Sequence, residues 1–102
     1  MTANAMRGEA LISIGGLDHK LRPTFTALVT AEEELGPLFA LVERAGDGQL
    51  KLAEVAALFW HCLENRRDLT RDHLGEAVIA MGLAGCAKPL RAILGQILKG
   101  TG

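Results

Sequence analysis

The sequence is poor in aromatic residues, in cysteine and in net charge. Aromatic side chains make up 4% of the 102 residues, with one tryptophan and no tyrosine. The net charge of -1, from 11 basic and 12 acidic residues, argues against a protein whose main task is to neutralise nucleic-acid phosphates. The two cysteines, Cys62 and Cys86, lack a C-x-x-C spacing, which favours a reduced, cytoplasmic protein over a disulfide scaffold.

Long apolar runs and a secretory leader are also missing. No window approaches 18 uninterrupted apolar residues, so the sequence offers no obvious membrane span. No basic segment followed by an apolar one opens the chain, as a signal peptide would require. We therefore expect a cytoplasmic protein with no membrane partner.

What remains is an aliphatic chain whose length fits one domain. Apolar residues make up 49% and charged residues 23%, which is ordinary for a globular protein. A chain of this size leaves no room for a second core. Residues 1–6 show no periodicity and are predicted to form a flexible leader, so we expect a single folded domain over residues 7–102.

The first ordered element is predicted to be a β-hairpin. Two strand-like runs flank Gly15 and Gly16, and a two-glycine link between such runs is a hairpin signal. Ile12 and Ile14 alternate with more polar positions, so one face can rest on other elements. Because a lone hairpin is marginal in water, it must dock on helices or gain strands from a partner chain.

Helical periodicity follows the hairpin. The first helix is predicted to begin after Thr24 and to end at Gly36, and the second covers residues 38–44. Residues 51–65 carry the strongest pattern, with a wide apolar arc that places this helix at the centre of the fold. The inward residues predicted for the first helix are Phe25, Leu28, Val29 and Leu35.

The C-terminal third is predicted to hold two more helices. One begins after Thr70 and ends at Gly82, and residues 82–85 are predicted to form a loop. An amphipathic last helix then begins near Ala87 with Pro89 in its first turn. The predicted fold class is therefore α+β, with an N-terminal β-hairpin packed on a bundle of four to five short helices.

One segment is similar to a calcium-binding loop but lacks the oxygen ligands. Residues 43–54 place Asp47, Gly48 and Glu54 at positions 5, 6 and 12 of an EF-hand loop. Glu43 and Ala45 occupy positions 1 and 3, which leaves too few oxygens for a calcium shell. We interpret the segment as a turn between helices.

The candidate nucleophiles and histidines form no catalytic pattern. His19, His61 and His73 lie on three separate elements without a metal-ligand spacing, and we expect His61 and His73 to be exposed to solvent. Ser13 lacks a G-x-S-x-G context, and Cys62 falls on an apolar stripe. We expect a protein that is not an enzyme and that uses no cofactor and no metal.

Glu32 breaks the apolar pattern of its helix. It lies between Leu28 and Leu35 on the face that also carries Phe25 and Val29. A buried carboxylate there would need a cation or helix-terminal N–H groups, whereas a half-covered face would let Glu32 reach water. Both alternatives stay open, and either gives Glu32 a contact or positioning role.

The order of these elements resembles a known family. Residues 7–16 (RGEALISIGG), residues 21–28 (LRPTFTAL), Glu32 and residues 35–36 (LG) resemble the opening of the gene-transfer-agent family of small phage tail-assembly proteins. The resemblance extends from Arg7 to about Leu98, although the later elements are generic. Residues 63–68 depart from it, because they lack the glycine-rich stretch that usually follows the central helix in that family.

The resemblance implies a prophage or gene-transfer-agent tail assembly protein without catalytic activity. Family members are thought to act as chaperones that bind the tape-measure protein or the tail tube protein in the bacterial host's cytoplasm, where phage-like particles assemble. A structural subunit associated with the tail tube is the first alternative. A small DNA-binding regulator is the second, but the net charge and the lack of a basic recognition helix argue against it.

Three surfaces are candidates for binding other tail proteins or a second copy of the chain. They are the hairpin edge, Glu32 with its helix, and the apolar stripe of the last helix, although that stripe can equally belong to the core. The residues predicted to bind a partner are Leu11, Ser13, His19, Glu32, Leu90, Ile93, Leu94 and Ile97.

Overall fold

The fold follows the predicted order of a hairpin and then helices. The computed structural model describes residues 8–66 and 68–100, so the predicted leader, residues 1–6, lies outside the described residues. The elements are β1 (Ala10–Ile14), β2 (Leu17–Leu21), α1 (Phe25–Leu35), α2 (Leu38–Gly46), α3 (Leu52–Cys62) and α4 (Arg71–Lys99). The α+β class and the N-terminal hairpin are confirmed, and the described part of the chain holds four helices.

The hairpin has the two-residue turn that the glycines predict. Ile14 pairs with Leu17 across the turn, and the antiparallel register continues from there along both strands. Gly15 and Gly16 have φ angles of 59° and 83°, the left-handed values that match a tight turn to the twist of the strands. Ile12 is buried on the inner face, so the hairpin docks on the helical layer as expected.

The chain that follows α3 returns to the hairpin. Leu63 forms an isolated antiparallel bridge with Leu21 at the end of β2. The backbone N–H of Glu64 donates to the carbonyl of Lys20 at 3.0 Å. The outer edge of β2 is thereby covered at its C-terminal end, and the sheet is tied directly to the central helix.

α3 lies at the centre of the core, as its wide apolar arc predicts. Leu58 and Phe59 are fully buried, and both α1 and α4 pack against this helix. Leu52, the first apolar residue in the predicted range 51–65, is 43% exposed at the first position of the helix. The helix itself is shorter than residues 51–65 suggest, because the chain leaves it after Cys62 to join β2.

α1 turns a different face to the core from the predicted one. Phe25 is 83% exposed and Val29 is 38% exposed, whereas Ala31 is fully buried. Leu28 and Leu35 are half-buried against the core, so the inward stripe follows positions 28, 31 and 35. The small Ala31 side chain allows α1 to lie close to α3, and this proximity outweighs the larger apolar area of Phe25.

α4 contains the break that Gly82 predicts, but the loop around it is missing. Gly82 has φ 75° and ψ 164°, values outside the helical region, and the helix resumes directly after it. The predicted loop over residues 82–85 is therefore reduced to a kink at one glycine. The Cys86 thiol donates to the Val78 carbonyl at 3.9 Å, which links the two halves across the kink.

By length and composition, α4 is apolar enough to cross a membrane. The kink at Gly82 divides it into halves that are each shorter than the roughly 20 residues a straight span requires. Leu74, Val78 and Ile93, from both halves, are buried in the core. One face of α4 is therefore part of the core, whereas Ile79, Leu83 and Leu98 on the same helix are exposed.

The start of α4 confirms the predicted cap. The Thr70 hydroxyl accepts a hydrogen bond from the backbone N–H of His73 at 3.2 Å. The Thr70 N–H in turn donates to Nδ1 of the His73 ring at 3.1 Å, so each residue satisfies the other's backbone. His73 is exposed, as predicted.

Candidate interaction surface

The outer edge of β1 offers backbone groups to another strand. Lys20 accepts from Glu64, so its carbonyl points away from β1. Lys20 is the register partner of Leu11, and in such an outward-facing pair Leu11 also directs its N–H and C=O away from β2. Ser13, two residues further, does the same. Among the described residues no strand pairs with this edge, because the sheet has only β1 and β2.

Two clefts lie along this edge between β1 and α4. The larger, of about 560 Å³, lies beside Leu11 and is bordered by the second half of α4. Its lining residues on that helix are Lys88, Pro89, Arg91 and Ala92. The smaller, of about 460 Å³, lies at the turn end beside Ser13 and is bordered by Glu76 and Ala80 of the first half.

The acidic residue next to β1 is buried and paired. Glu9 is 3% exposed, and its carboxylate lies 3.3 Å from Nζ of Lys20 and 3.5 Å from Nε of Arg22. These contacts offset the cost of burying a charge. Lys88 and Arg91 are exposed beside the same cleft and form no ion pair with any described residue, so the cleft has a net positive border.

The predicted hairpin residues separate into two groups. Leu11 is half-buried and Ser13 is exposed, and both lie on the outer edge. His19 pairs with Ile12 on β1 and lies on the same inner face. Its N–H and C=O therefore point toward β1, inside the hairpin. The backbone groups of His19 therefore do not lie on the outer edge, and its contact with a partner stays a prediction.

The predicted stripe on the last helix lies against the core. Ile93 is fully buried, so it offers no surface to a partner. The other three residues are half-buried and pack against the same core: Leu90, Leu94 and Ile97. Of the two alternatives for this stripe, the structure places Ile93 in the core.

Glu32 is exposed, and its carboxylate has a positioning role. Its Oε2 accepts a hydrogen bond from the backbone N–H of Leu38 at 3.1 Å. Pro37 precedes α2 without any side-chain cap, so Glu32 supplies the acceptor that the start of α2 lacks. The alternative in which Glu32 is exposed is the one found.

A polar cluster that the sequence pattern does not predict joins three helices. His61 is 7% exposed, which corrects the expectation of a solvent-exposed histidine. Its Nε2 lies 2.7 Å from Oε1 of Glu34 on α1, and Arg71 on α4 donates to Oε2 of Glu34 at 2.8 Å. These donors, Arg71 foremost and then His61, lower the pKa of Glu34 to about 2.

Trp60 completes this cluster. The Arg66 guanidinium lies 5.0 Å from the centre of the indole ring, and that of Arg71 lies 5.7 Å from it. Both distances are typical of cation–π contacts. The cluster thus holds α1, α3 and α4 in fixed relation on the side of the molecule where the chain enters α4.

The segment similar to an EF-hand loop uses its acidic residue for another purpose. The Glu54 carboxylate accepts from the backbone N–H of Lys51 at 2.9 Å and from Arg44 at 2.8 Å. These hydrogen bonds, that of Lys51 foremost, lower the pKa of Glu54. Glu54 therefore caps α3 and joins it to α2. In the described residues no group of three or more potential metal ligands occurs.

These features define a small α+β domain with an open β edge and a rigid helical support. The family model described as "Phage tail tube protein, GTA-gp10" matches residues 7–100, and the chain belongs to this family. The resemblance to a gene-transfer-agent tail family is confirmed at that level. No curated protein and no solved structure matches the chain.

Proposed function

We propose that this chain is a structural, non-catalytic protein of a phage-like tail, associated with the tail tube. The observation that carries the proposal is the family match over residues 7–100, since the family is described as a tail tube protein. It acts in the host cytoplasm, where the tail assembles, through contacts with other tail proteins or with copies of itself.

The open edge of β1 supports this proposal. An exposed strand edge is a liability for a monomer, because its unpaired N–H and C=O groups accept further strands. In a protein that has to join an assembly, the same groups give affinity through main-chain hydrogen bonds. The outward-facing groups of Leu11 and Ser13 therefore suit a subunit that is completed by a neighbour.

An assembly chaperone for the tape-measure protein is the competing proposal, and exposed aromatic side chains favour it. Phe25 and Phe39 are 83% and 79% exposed, although the chain has only three phenylalanines. Apolar groups at the surface can shield an aggregation-prone partner until the tube is complete. A structural subunit could bury them against its neighbours instead.

Quantitative mass spectrometry of purified particles separates the two proposals. A structural subunit should remain in the particle at a fixed ratio to the other tail proteins, and that ratio should survive a high-salt wash. A chaperone should be absent from finished particles and should copurify with the tape-measure protein from lysates in which tail assembly is blocked. Absence from intact particles would contradict the structural role.

A further inference from the structure

We infer that the outer edge of β1 receives an additional β-strand from another tail protein, and that this extended segment carries acidic side chains at the end that lies beside Leu11. The inference rests on the proposed function, because it gives the chemistry of the partner that a tail protein of this kind would bind. It does not depend on whether the chain stays in the finished particle.

The first argument is that β1 itself carries none of the sequence features that protect an edge strand, and that α4, which packs against β1, leaves two clefts open along this edge. Natural edges carry charged residues, proline or bulges that prevent further pairing. β1 has the sequence ALISI, with no charge and no proline, and its register with β2 continues without a bulge. β2, by contrast, carries Asp18 and Lys20, and its outer edge is partly covered by the chain after α3.

The second argument is that this edge is held in place before any partner binds. Gly8, just before β1, is buried so closely that an added Cβ would lie 2.5 Å from Cβ of Gln96 and 3.0 Å from the carbonyl oxygen of Ala92. Glu9 is fixed by Lys20 and Arg22. A strand that is already ordered loses little entropy when it pairs, so binding keeps more of the hydrogen-bond energy.

The third argument is the charge beside the edge. Lys88 and Arg91 border the cleft next to Leu11, whereas Glu76 borders the cleft next to Ser13. A strand added to β1 would pass both clefts, so acidic side chains fit its end near Leu11 and neutral or basic ones fit its end near Ser13. Charge thereby fixes the polarity of the bound segment.

The same charges disfavour a second copy of this chain as the occupant. Parallel pairing of two β1 strands would bring two sets of Lys88 and Arg91 together. Antiparallel pairing would place the single Glu76 of each copy beside both cations of the other, so one positive charge at each end would lack an acidic partner. Like charges in close contact weaken an interface. A different tail protein with an acidic extended segment therefore fits better.

The experiment uses two synthetic peptides of ten residues with blocked ends. Both alternate threonine and valine, and one carries two glutamates at one end where the other carries two lysines. We expect the glutamate peptide to shift the backbone amide signals of Leu11 and Ser13 in nitrogen-15 spectra of the labelled protein. It should bind at least tenfold more tightly than the lysine peptide at low salt, and the difference should shrink in 0.5 M salt.

Variants test the backbone and the charge separately. Ser13→Pro removes an outward N–H and should abolish binding, whereas Ser13→Ala keeps that N–H and should bind normally. The double variant K88E/R91E should prefer the lysine peptide, and Lys99→Glu, on the same helix but outside the cleft, should keep the original preference. If Ser13→Pro does not fold, the peptide preferences of the charge variants alone decide whether the inference holds.

Three results would overturn the inference. They are an absence of shifts at Leu11 and Ser13 with millimolar peptide, equal affinity for both peptides, and self-association of the protein that Ser13→Pro abolishes. The last result would identify a second copy as the occupant. Each is distinct from the particle measurement above, because a chain can be present in the particle without this strand pairing, and the edge can bind an acidic strand in a chaperone.

Discussion

The buried glycine at position 8 shows how a single residue fixes the hairpin against α4. Gly8 has φ 74°, and an added Cβ would also lie 2.9 Å from Cγ of Pro23. Gly8→Ala should therefore lower the free energy of unfolding by about 3 kcal/mol, from overpacking and from the left-handed backbone. Urea denaturation measures this difference.

The matched control for that variant is a second glycine in α4. Gly75 lies in the first half of the helix, and an added Cβ there meets nothing within 4 Å. Gly75→Ala should raise the free energy of unfolding by about 0.5–1 kcal/mol, because alanine favours a helix over glycine. Equal changes in the two variants would show that crowding around Gly8 is unimportant.

The Glu34 carboxylate should make stability depend on pH. Its pKa is about 2 in the folded protein against an ordinary value of 4.5, so folding favours the charged form. The stabilisation is present above about pH 4.5 and is lost as the pH falls toward 2. Because the Glu34 side chain is 40% exposed, solvent screening reduces the effect to about 1 kcal/mol.

This prediction is checked with Glu34→Gln. The free energies of unfolding of the wild type and of Glu34→Gln, measured in urea, should differ by about 1 kcal/mol at pH 7. The two values should converge as the pH falls through 4 toward 2. Glu33→Gln is the matched control, since Glu33 is an exposed neighbour without a hydrogen bond among the described residues. The difference in free energy of unfolding between this variant and the wild type should not show the change between pH 4 and pH 2. A parallel pH dependence in wild type and Glu34→Gln would contradict the proposed ion pair.

At the scale of elements, α2 depends on a cap from another helix. Pro37 offers no side-chain acceptor, and Glu32 of α1 accepts from the Leu38 N–H instead. Glu32→Ala should lower the free energy of unfolding by about 1 kcal/mol, which is the usual cost of a lost helix cap. For a domain of this size the melting temperature should fall by about 4–8 °C.

Glu33→Ala controls for the loss of one negative charge from the same helix. It should leave the melting temperature nearly unchanged, because no hydrogen bond joins Glu33 to the described residues. If both variants melt at the wild-type temperature, the contact between Glu32 and Leu38 contributes nothing measurable to stability.

Local signals predicted most elements of this fold. The Gly15-Gly16 turn, the Thr24 and Thr70 caps and the break at Gly82 all depend on a few adjacent residues, and each is found in the structure. The inward face of α1 was predicted wrongly, because two stripes compete on that helix. Apolar size favours the stripe with Phe25, whereas close packing favours the one with Ala31.

The polar cluster could not be predicted in the same way. His61 and Glu34 are 27 positions apart, and His61 and Arg71 are 10 positions apart, so only the tertiary fold brings them together. On α3 alone, His61 lies opposite the apolar arc and its pattern indicates exposure. It is buried because α1 and α4 cover both sides of the helix. The hairpin edge was predictable, since a two-stranded sheet always has an outer edge.

At the scale of the whole molecule, stability should be graded from the centre to the β1 edge. α3 has the largest buried share of the four helices, with Leu58 and Phe59 fully buried, so its amide hydrogens should exchange most slowly. The amides of Leu11 and Ser13 point outward from β1 and should exchange fastest within the hairpin. Hydrogen exchange followed by nitrogen-15 spectra measures both groups in one experiment.

Slow exchange at Leu11 and Ser13 in the isolated protein would contradict this gradient. It would mean that the edge is already hydrogen-bonded in solution, either to residues outside the described ranges or to a second chain. Comparison of dilute and concentrated samples distinguishes these two cases, because only pairing between chains depends on concentration.

The two thiols allow the rate at which the core opens to be measured. Burial raises the pKa of Cys62 to about 12 and also raises that of Cys86. Since the thiolate is the reactive form, an alkylating reagent can reach either sulfur only when the surrounding core opens. Cys62 ends α3 and Cys86 follows the kink at Gly82, so two alkylation rates report separately on the centre of the fold and on the second half of α4.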